Sequence, residues 1–262
     1  MSRILIVGNW KMHLNTSQAS MLLHRLQERI KIHRDIEVVL APSMMVLQPL
    51  SVQLDRRKFR LAAQNAFYKD DGEYTGEISF TMLRELTHYV IVGHSERRNI
   101  FNESLDDITK KVAAAFRNGI VPILCVGETK TERLSGEANQ VLHDQVVSAL
   151  SNVTSEEIQN LVIAYEPVWA IGTGNFAKPD QVQAAIKVIR NNINELYGQK
   201  AAQKLRVLYG GSVTSDVAGG YLDTQGVDGL LVGNASLNYQ QFSGIVDAAF
   251  RTVQSSKPEG EL

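Results

Sequence analysis

The sequence predicts a single-domain α/β protein, a (β/α)8 barrel with parallel inner strands and helices outside. Three observations predict it. Eight short β-branched runs recur along the 262 residues, at 4–8, 37–41, 60–63, 89–92, 120–126, 161–165, 205–209 and 229–232. Each is apolar nearly throughout instead of alternating, as parallel strands covered on both faces are. Helical patterns fill the intervals, and unusual polar residues follow many of the runs. An open doubly wound sheet would gather such residues at one switch point, and no Gly-x-Gly-x-x-Gly follows the first run. A barrel of this kind typically takes about 250 residues as one domain. Residues 1–254 are therefore read as the barrel and 255–262 as a polar tail that frays.

In order along the chain, the first run opens onto Gly8-Asn9-Trp10-Lys11. The spacing at 16–31 predicts a helix, with Met21, Leu22, Leu26 and Ile30 in an apolar stripe and Arg29 on a basic face. The third run leads to Gln64-Asn65 and a long connection, residues 65–77, opening at Asn65 and ending at Glu77. It carries Phe67, Tyr68, Tyr74 and Thr75, and aromatics on a long loop mark an interface. The fourth run ends at Gly93-His94, before a short helix over 95–100. The fifth ends at Cys125-Val126-Gly127-Glu128 and the sixth at Glu166-Pro167. Pro179 opens a helix that reaches Tyr197, with Val182, Ala185, Ile186 and Ile189 at helical spacing. Gly210-Gly211-Ser212 follows the seventh run and Gly233-Asn234 the eighth.

Charge and composition exclude several classes. Lys and Arg number 27 against 28 Asp and Glu, a net −1, so nothing electrostatic favours a nucleic-acid or membrane partner. Any anionic ligand has to be held by a local arrangement. Cys125 is the sole cysteine, which rules out an intrachain disulfide and a metal site of several cysteines. The apolar start is too short for a signal peptide, and no run approaches a membrane span. The expectation is a soluble cytoplasmic protein.

In such a barrel the C-terminal strand ends converge on one face, where function sits. Those ends carry Asn9, Lys11, Gln64, Asn65, His94, Glu128, Glu166, Gly210-Gly211-Ser212 and Gly233-Asn234. Taken singly, each has an ordinary reading: a solvated lysine, a core histidine, a glutamate accepting hydrogen bonds at a turn, glycines in tight turns. Together, a cation, an imidazole and a carboxylate suit proton abstraction beside a carbonyl. Gly211-Ser212 and Gly233-Asn234 offer backbone N–H groups where barrels commonly bind phosphate.

At full length the sequence resembles the triosephosphate isomerase family. The motifs are Asn9-Trp10-Lys11-Met12, Ala63-Gln64-Asn65, Gly93-His94-Ser95-Glu96-Arg97-Arg98 and Cys125-Val126-Gly127-Glu128. They continue with Ala164-Tyr165-Glu166-Pro167-Val168-Trp169-Ala170-Ile171-Gly172-Thr173-Gly174, Tyr209-Gly210-Gly211-Ser212-Val213 and Asp228-Gly229-Leu230-Leu231-Val232-Gly233-Asn234-Ala235-Ser236. The eleven-residue stretch 164–174 is the most specific. Two positions depart from the commonest pattern: His13-Leu14 where Asn-Gly is frequent, and Asn234 where a second glycine is. Neither replaces a side chain that does chemistry.

The resemblance implies a TIM barrel that interconverts dihydroxyacetone phosphate and D-glyceraldehyde 3-phosphate through an enediolate, in glycolysis and gluconeogenesis, with no cofactor and no metal. It assigns Glu166 as the base, His94 as the electrophile at the carbonyl oxygen, and Lys11 as the fixed positive charge. Asn9 orients Lys11 and the substrate, with Ser95 and Glu96 in support. The phosphate of the triose would meet N–H groups around Gly172, Ser212, Gly233 and Asn234. Residues 167–174 would form a lid, braced by Tyr209 and Ser212, and the 65–77 connection would enter a partner subunit in a homodimer, bringing Thr75 toward its Asn9 and Lys11. Two alternatives stay open. A Schiff-base aldolase-type barrel would use Lys11 covalently, and a phosphate-binding protein without catalysis would need none of the three side chains.

Overall fold

Every strand alternates with period two, and the sequence hides this because both phases are apolar. Along the first strand Leu5 and Val7 face the barrel interior while Ile6 faces the surrounding helices. The two phases feed two separate clusters, as a closed sheet ringed by helices requires. The inner one gathers Leu5, Val7, Val39, Ile91, Ile123 and Leu208 among others. The outer one joins Ile6, Leu40, Leu124 and Ile163 to helix residues such as Leu23, Val112 and Ile189.

The computed structural model describes residues 3–171 and 176–255. Its strands are β1 Ile4–Asn9, β2 Ile36–Ala41, β3 Phe59–Ala63, β4 Tyr89–Val92, β5 Val121–Val126, β6 Val162–Tyr165, β7 Arg206–Tyr209 and β8 Gly229–Val232. Each lies within one residue of its predicted run. They form a closed barrel in sequence order, every pairing parallel. The last strand returns to the first, with Leu5 opposite Gly229 and Gly8 opposite Val232.

The helices among the described residues are α1 Thr16–Arg29, α2 Met44–Gln53, α3 Phe80–Leu83, α4 Ser95–Asn99, α5 Leu105–Arg117 and α6 Lys130–Leu134. After these come α7 Ala138–Ala149, α8 Pro179–Tyr197, α9 Gln199–Lys204, α10 Ala218–Leu222 and α11 Tyr239–Ser255. Helix α8 has the predicted bounds and buries Val182, Ala185, Ile186 and Ile189. Helix α1 differs from its prediction. It stops at Arg29, and its buried face is Ala19, Leu22, Leu23 and Leu26. Met21 is 58% exposed, because one residue turns the helix roughly 100° and carries it off the stripe centred on Leu22 and Leu26. A reciprocal cap starts the helix: Asn15 accepts from the Gln18 N–H and Gln18 from the Asn15 N–H, both at 3.0 Å.

The long connection after β3 is tied at its base, where Phe67 pairs with Ser79. Its aromatic rings pack on one another, Phe67 lying 4.4 Å from Tyr68 and 4.7 Å from Tyr74. Residues 71–77 beyond them are exposed. Among the described residues no helix is long and apolar enough to cross a membrane.

Candidate active site

The inward phase of the strands, continued past their ends, selects the site. After Leu5 and Val7 it reaches Asn9 and Lys11; after Val162 and Ala164 it reaches Glu166; after Leu208, Gly210; after Leu231, Gly233. All five line one cavity of about 420 Å³ at the barrel mouth, together with His94, Ile171, Ser212 and Asn234. Strand β4 breaks the rule. Its inward phase falls on Gly93, whose φ of 68° only glycine adopts freely, and the turn presents His94 to the cavity instead.

The same alternation removes two of the strand-end candidates, and hydrogen bonding occupies a third. Glu128 falls on the outward phase after Leu124 and Val126. It is buried behind the barrel wall, accepting from Tyr165 Oη at 3.2 Å, Trp169 Nε1 at 2.8 Å and Arg133 Nη1 at 3.0 Å. Asn65 also points outward and accepts from the buried Lys111 ammonium at 2.8 Å. Gln64 points inward but is consumed as a brace. Its amide donates to the carbonyls of Lys11 at 2.8 Å and Ala41 at 2.9 Å.

That brace matters because Lys11 is held in a strained conformation, with φ of 51°. A non-glycine residue there costs about 1–3 kcal/mol. Gln64 fixes its carbonyl, and Asn9 Oδ1 accepts its N–H at 3.1 Å. The strain aims the ammonium across the cavity mouth, where it meets Glu96 at 2.6 Å.

His94 caps α4 and its tautomer follows from geometry. Its Nδ1 accepts the Glu96 backbone N–H at 3.2 Å, and a backbone N–H can only donate. The ring proton therefore resides on Nε2, which lies 3.0 Å from Glu166 Oε1. Nitrogen-15 NMR of the imidazole at neutral pH is expected to show an unprotonated Nδ1 and a protonated Nε2. Two protonated nitrogens would contradict this geometry.

Glu166 is 1% exposed, and its Oε2 accepts the Ser95 N–H at 3.0 Å. Burial would raise the carboxyl. The hydrogen bond donated by the His94 Nε2–H, the nearby Arg98 guanidinium and the Ser95 N–H favour the charged form, and the group is held below the ordinary glutamate value. Arg98, half-buried, escapes sequence reasoning, which gives no reason to turn a guanidinium inward. It donates to the carbonyls of Gly93, of Cys125 at 2.7 Å and of Gly127 at 3.3 Å, knitting two strand ends beneath the cavity. Burial pushes the Cys125 thiol well up, so it packs as an uncharged group.

The glycine pair after β7 serves space more than turning. A Cβ on Gly210 would lie 2.9 Å from Glu166 Cγ, and one on Gly211 would lie 2.1 Å from Tyr209 Oη. Beside them Ser212 Oγ donates to the Ala170 carbonyl at 2.8 Å, while the buried Tyr209 ring stacks on Tyr221 at 4.2 Å. The helical turn Asn234–Leu237 begins at the cavity, where its first N–H groups have no partner within the turn. Thr214, Asn238 and Gln241 complete this wall and lacked any sequence signal. Gly172, Thr173 and Gly174, the last residues of the expected lid, lie outside the described residues.

A family model described as triosephosphate isomerase matches residues 4–249. The chain is 44% identical over 248 residues to triosephosphate isomerase of Caldanaerobacter subterraneus subsp. tengcongensis, covering 94% of this chain and 100% of the relative. It is 42% identical over 247 residues to that of Geotalea uraniireducens, covering 94% and 98%. With that of Dictyoglomus turgidum the identity is 41% over 247 residues, covering 94% and 99%.

Proposed function

This chain belongs to the triosephosphate isomerase family, and from that premise we propose that Glu166, His94, Lys11 and Asn9 carry its chemistry. The enzyme interconverts dihydroxyacetone phosphate and D-glyceraldehyde 3-phosphate, a step of glycolysis. The observation that carries the residue assignment is a buried carboxylate, an imidazole protonated on Nε2 and an ammonium around one cavity.

In the forward direction the Glu166 carboxylate takes a proton from C1 of dihydroxyacetone phosphate. The C–H electrons become the C1–C2 double bond, and the carbonyl pair moves onto O2. His94 Nε2–H and the Lys11 ammonium stabilise that charge. The proton on O1 then passes to O2 by way of His94 Nε2, and Glu166 returns its proton to C2. For this, Glu166 and His94 exchange their mutual 3.0 Å contact for bonds to the triose. The phosphate is held on main-chain N–H groups at Ser212, Gly233 and Asn234.

The enzyme acts in the cytoplasm as a homodimer. Large exposed apolar side chains support the dimer: Met12 after β1, Met45 after β2, Tyr74 and Met82 between β3 and β4, Ile100 and Phe101 after α4. They lie on the connections that follow four adjacent strands, β1 to β4, with Met45 in α2 and Met82 in α3, and exposed apolar side chains gathered on neighbouring connections mark an interface. A second copy covering it would bring Thr75 to the partner's Asn9 and Lys11. The variant T75R places a second cation near Lys11. It is expected to weaken association and lower activity together, read by sedimentation velocity and initial rates over one dilution series. An undisturbed dimer with wild-type rates would remove the case for a shared site.

A coupled isomerase assay on the purified chain tests the activity itself. Borohydride trapping with dihydroxyacetone phosphate should leave no adduct on Lys11, whereas an aldolase-type Schiff base would be trapped there.

A further inference from the structure

Trp169 sits between two residues that line the cavity, Glu166 and Ile171, without lining it. It belongs to the helical turn Val168–Ala170, closed by the Ala170 N–H donating to the Pro167 carbonyl at 2.8 Å. Its indole is gripped from two sides. Nε1 donates to Glu128 Oε1 at 2.8 Å, and the Arg133 guanidinium lies over the ring, 4.7 Å from its centroid. Arg133 Nη1 also donates to that same Glu128 oxygen, at 3.0 Å.

Glu128 thereby receives bonds from both sides of the base. Tyr165, the residue before Glu166, donates its hydroxyl at 3.2 Å, and the Val168 N–H donates to the Glu128 carbonyl at 3.1 Å. The carboxylate is wholly buried, and among the described residues its paired cation is Arg133. A buried carboxylate stripped of its cation does not keep its place without cost. An indole released from a stacked guanidinium loses a further contact.

We propose that Arg133, on α6, is a positioning residue for the isomerisation. It touches neither Glu166 nor the cavity, and acts through Glu128 and Trp169 on the turn that joins Glu166 to Ile171. The inference rests on the reading of Glu166 as the base. Guanidinium is the group this job demands, since one planar cation offers its edge to a carboxylate and its face to an aromatic ring. Lysine supplies the charge but not the plane. A displacement of about 1 Å at a reacting group lowers rates by up to about 10²-fold, so a loosened turn is legible in turnover.

The test uses the full chain labelled with 5-fluorotryptophan, whose two tryptophans are Trp169 and Trp10. Trp10 is fully buried and serves as the internal reference, and W169F assigns the signals. R133Q is expected to lower kcat about tenfold with KM changed less than about twofold, and to shift or broaden the Trp169 fluorine signal but not that of Trp10. R133K should restore part of kcat while leaving the Trp169 signal displaced. If Arg133 merely stabilises the fold, R133Q will lower Tm and leave kcat and the Trp169 signal at wild-type values, which overturns the proposal. Should R133Q fail to fold, R133K decides, and wild-type turnover with an unmoved Trp169 signal overturns it equally. Failure of the base assignment is distinguishable: it would show as full activity in E166Q, whatever Trp169 does in the Arg133 variants.

Discussion

Glu166→Gln is expected to lower kcat by about 10²–10⁴-fold while KM stays close to wild type. The two side chains have the same shape, and the amide oxygen can keep the 3.0 Å bond from the Ser95 N–H. The fold and the cavity wall are therefore retained. What disappears is the capacity to accept a carbon-bound proton, a function exercised only as the transition state forms. The environment of the native carboxyl points the same way, because a group held below the ordinary glutamate value is ionised and ready at neutral pH. Steady-state kinetics in both directions measure the effect. Turnover within a few-fold of wild type would require another base.

Lys11→Met is expected to lower kcat about 10²–10³-fold and, unlike the first change, to raise KM as well. Methionine fills a similar volume and leaves the chain direction set by Gln64 and Asn9 in place. The ammonium faces an anionic substrate in the ground state and a second negative charge in the transition state, so both parameters respond. Stability should change little, because Glu96, left without its partner, is partly exposed and water replaces the ion pair. A thermal melt alongside the kinetics separates the two effects. Wild-type kcat with only KM raised would demote Lys11 to binding.

Reading the strands from the sequence succeeded because a β-branched apolar run has few other uses, and each run maps to a strand within one residue. Reading their ends succeeded less evenly. Asn9, Lys11 and Glu166 share a phase with Leu5, Val7, Val162 and Ala164, but those inward residues cannot be told from Ile6 or Ile163 when both phases are apolar. Glu128 and Asn65 therefore looked equivalent to Glu166, and only the closed sheet separates a side chain facing the cavity from one facing a helix. His94 was legible through its motif, while the reason it faces inward, the φ of Gly93, is a property of the folded backbone. Arg98 and Arg133 were not legible as supports. Their partners are main-chain carbonyls in one case and a buried carboxylate with an indole in the other.

The seam between β1 and β8 bears on how the enzyme is made. Leu5 pairs with Gly229, so the sheet has no edge once complete and two edges until then. The intervening residues, roughly 220 of them, take about ten to forty-five seconds to synthesise at 5–20 residues per second. Throughout that time the emerging chain presents unpaired apolar strands at both margins of an unfinished sheet. Asn9 and Lys11 leave the ribosome first among the cavity residues, and Gly233 and Asn234 nearly last. A nascent chain is thus inactive by topology, and exposed to strand-on-strand association until the final strand closes the ring.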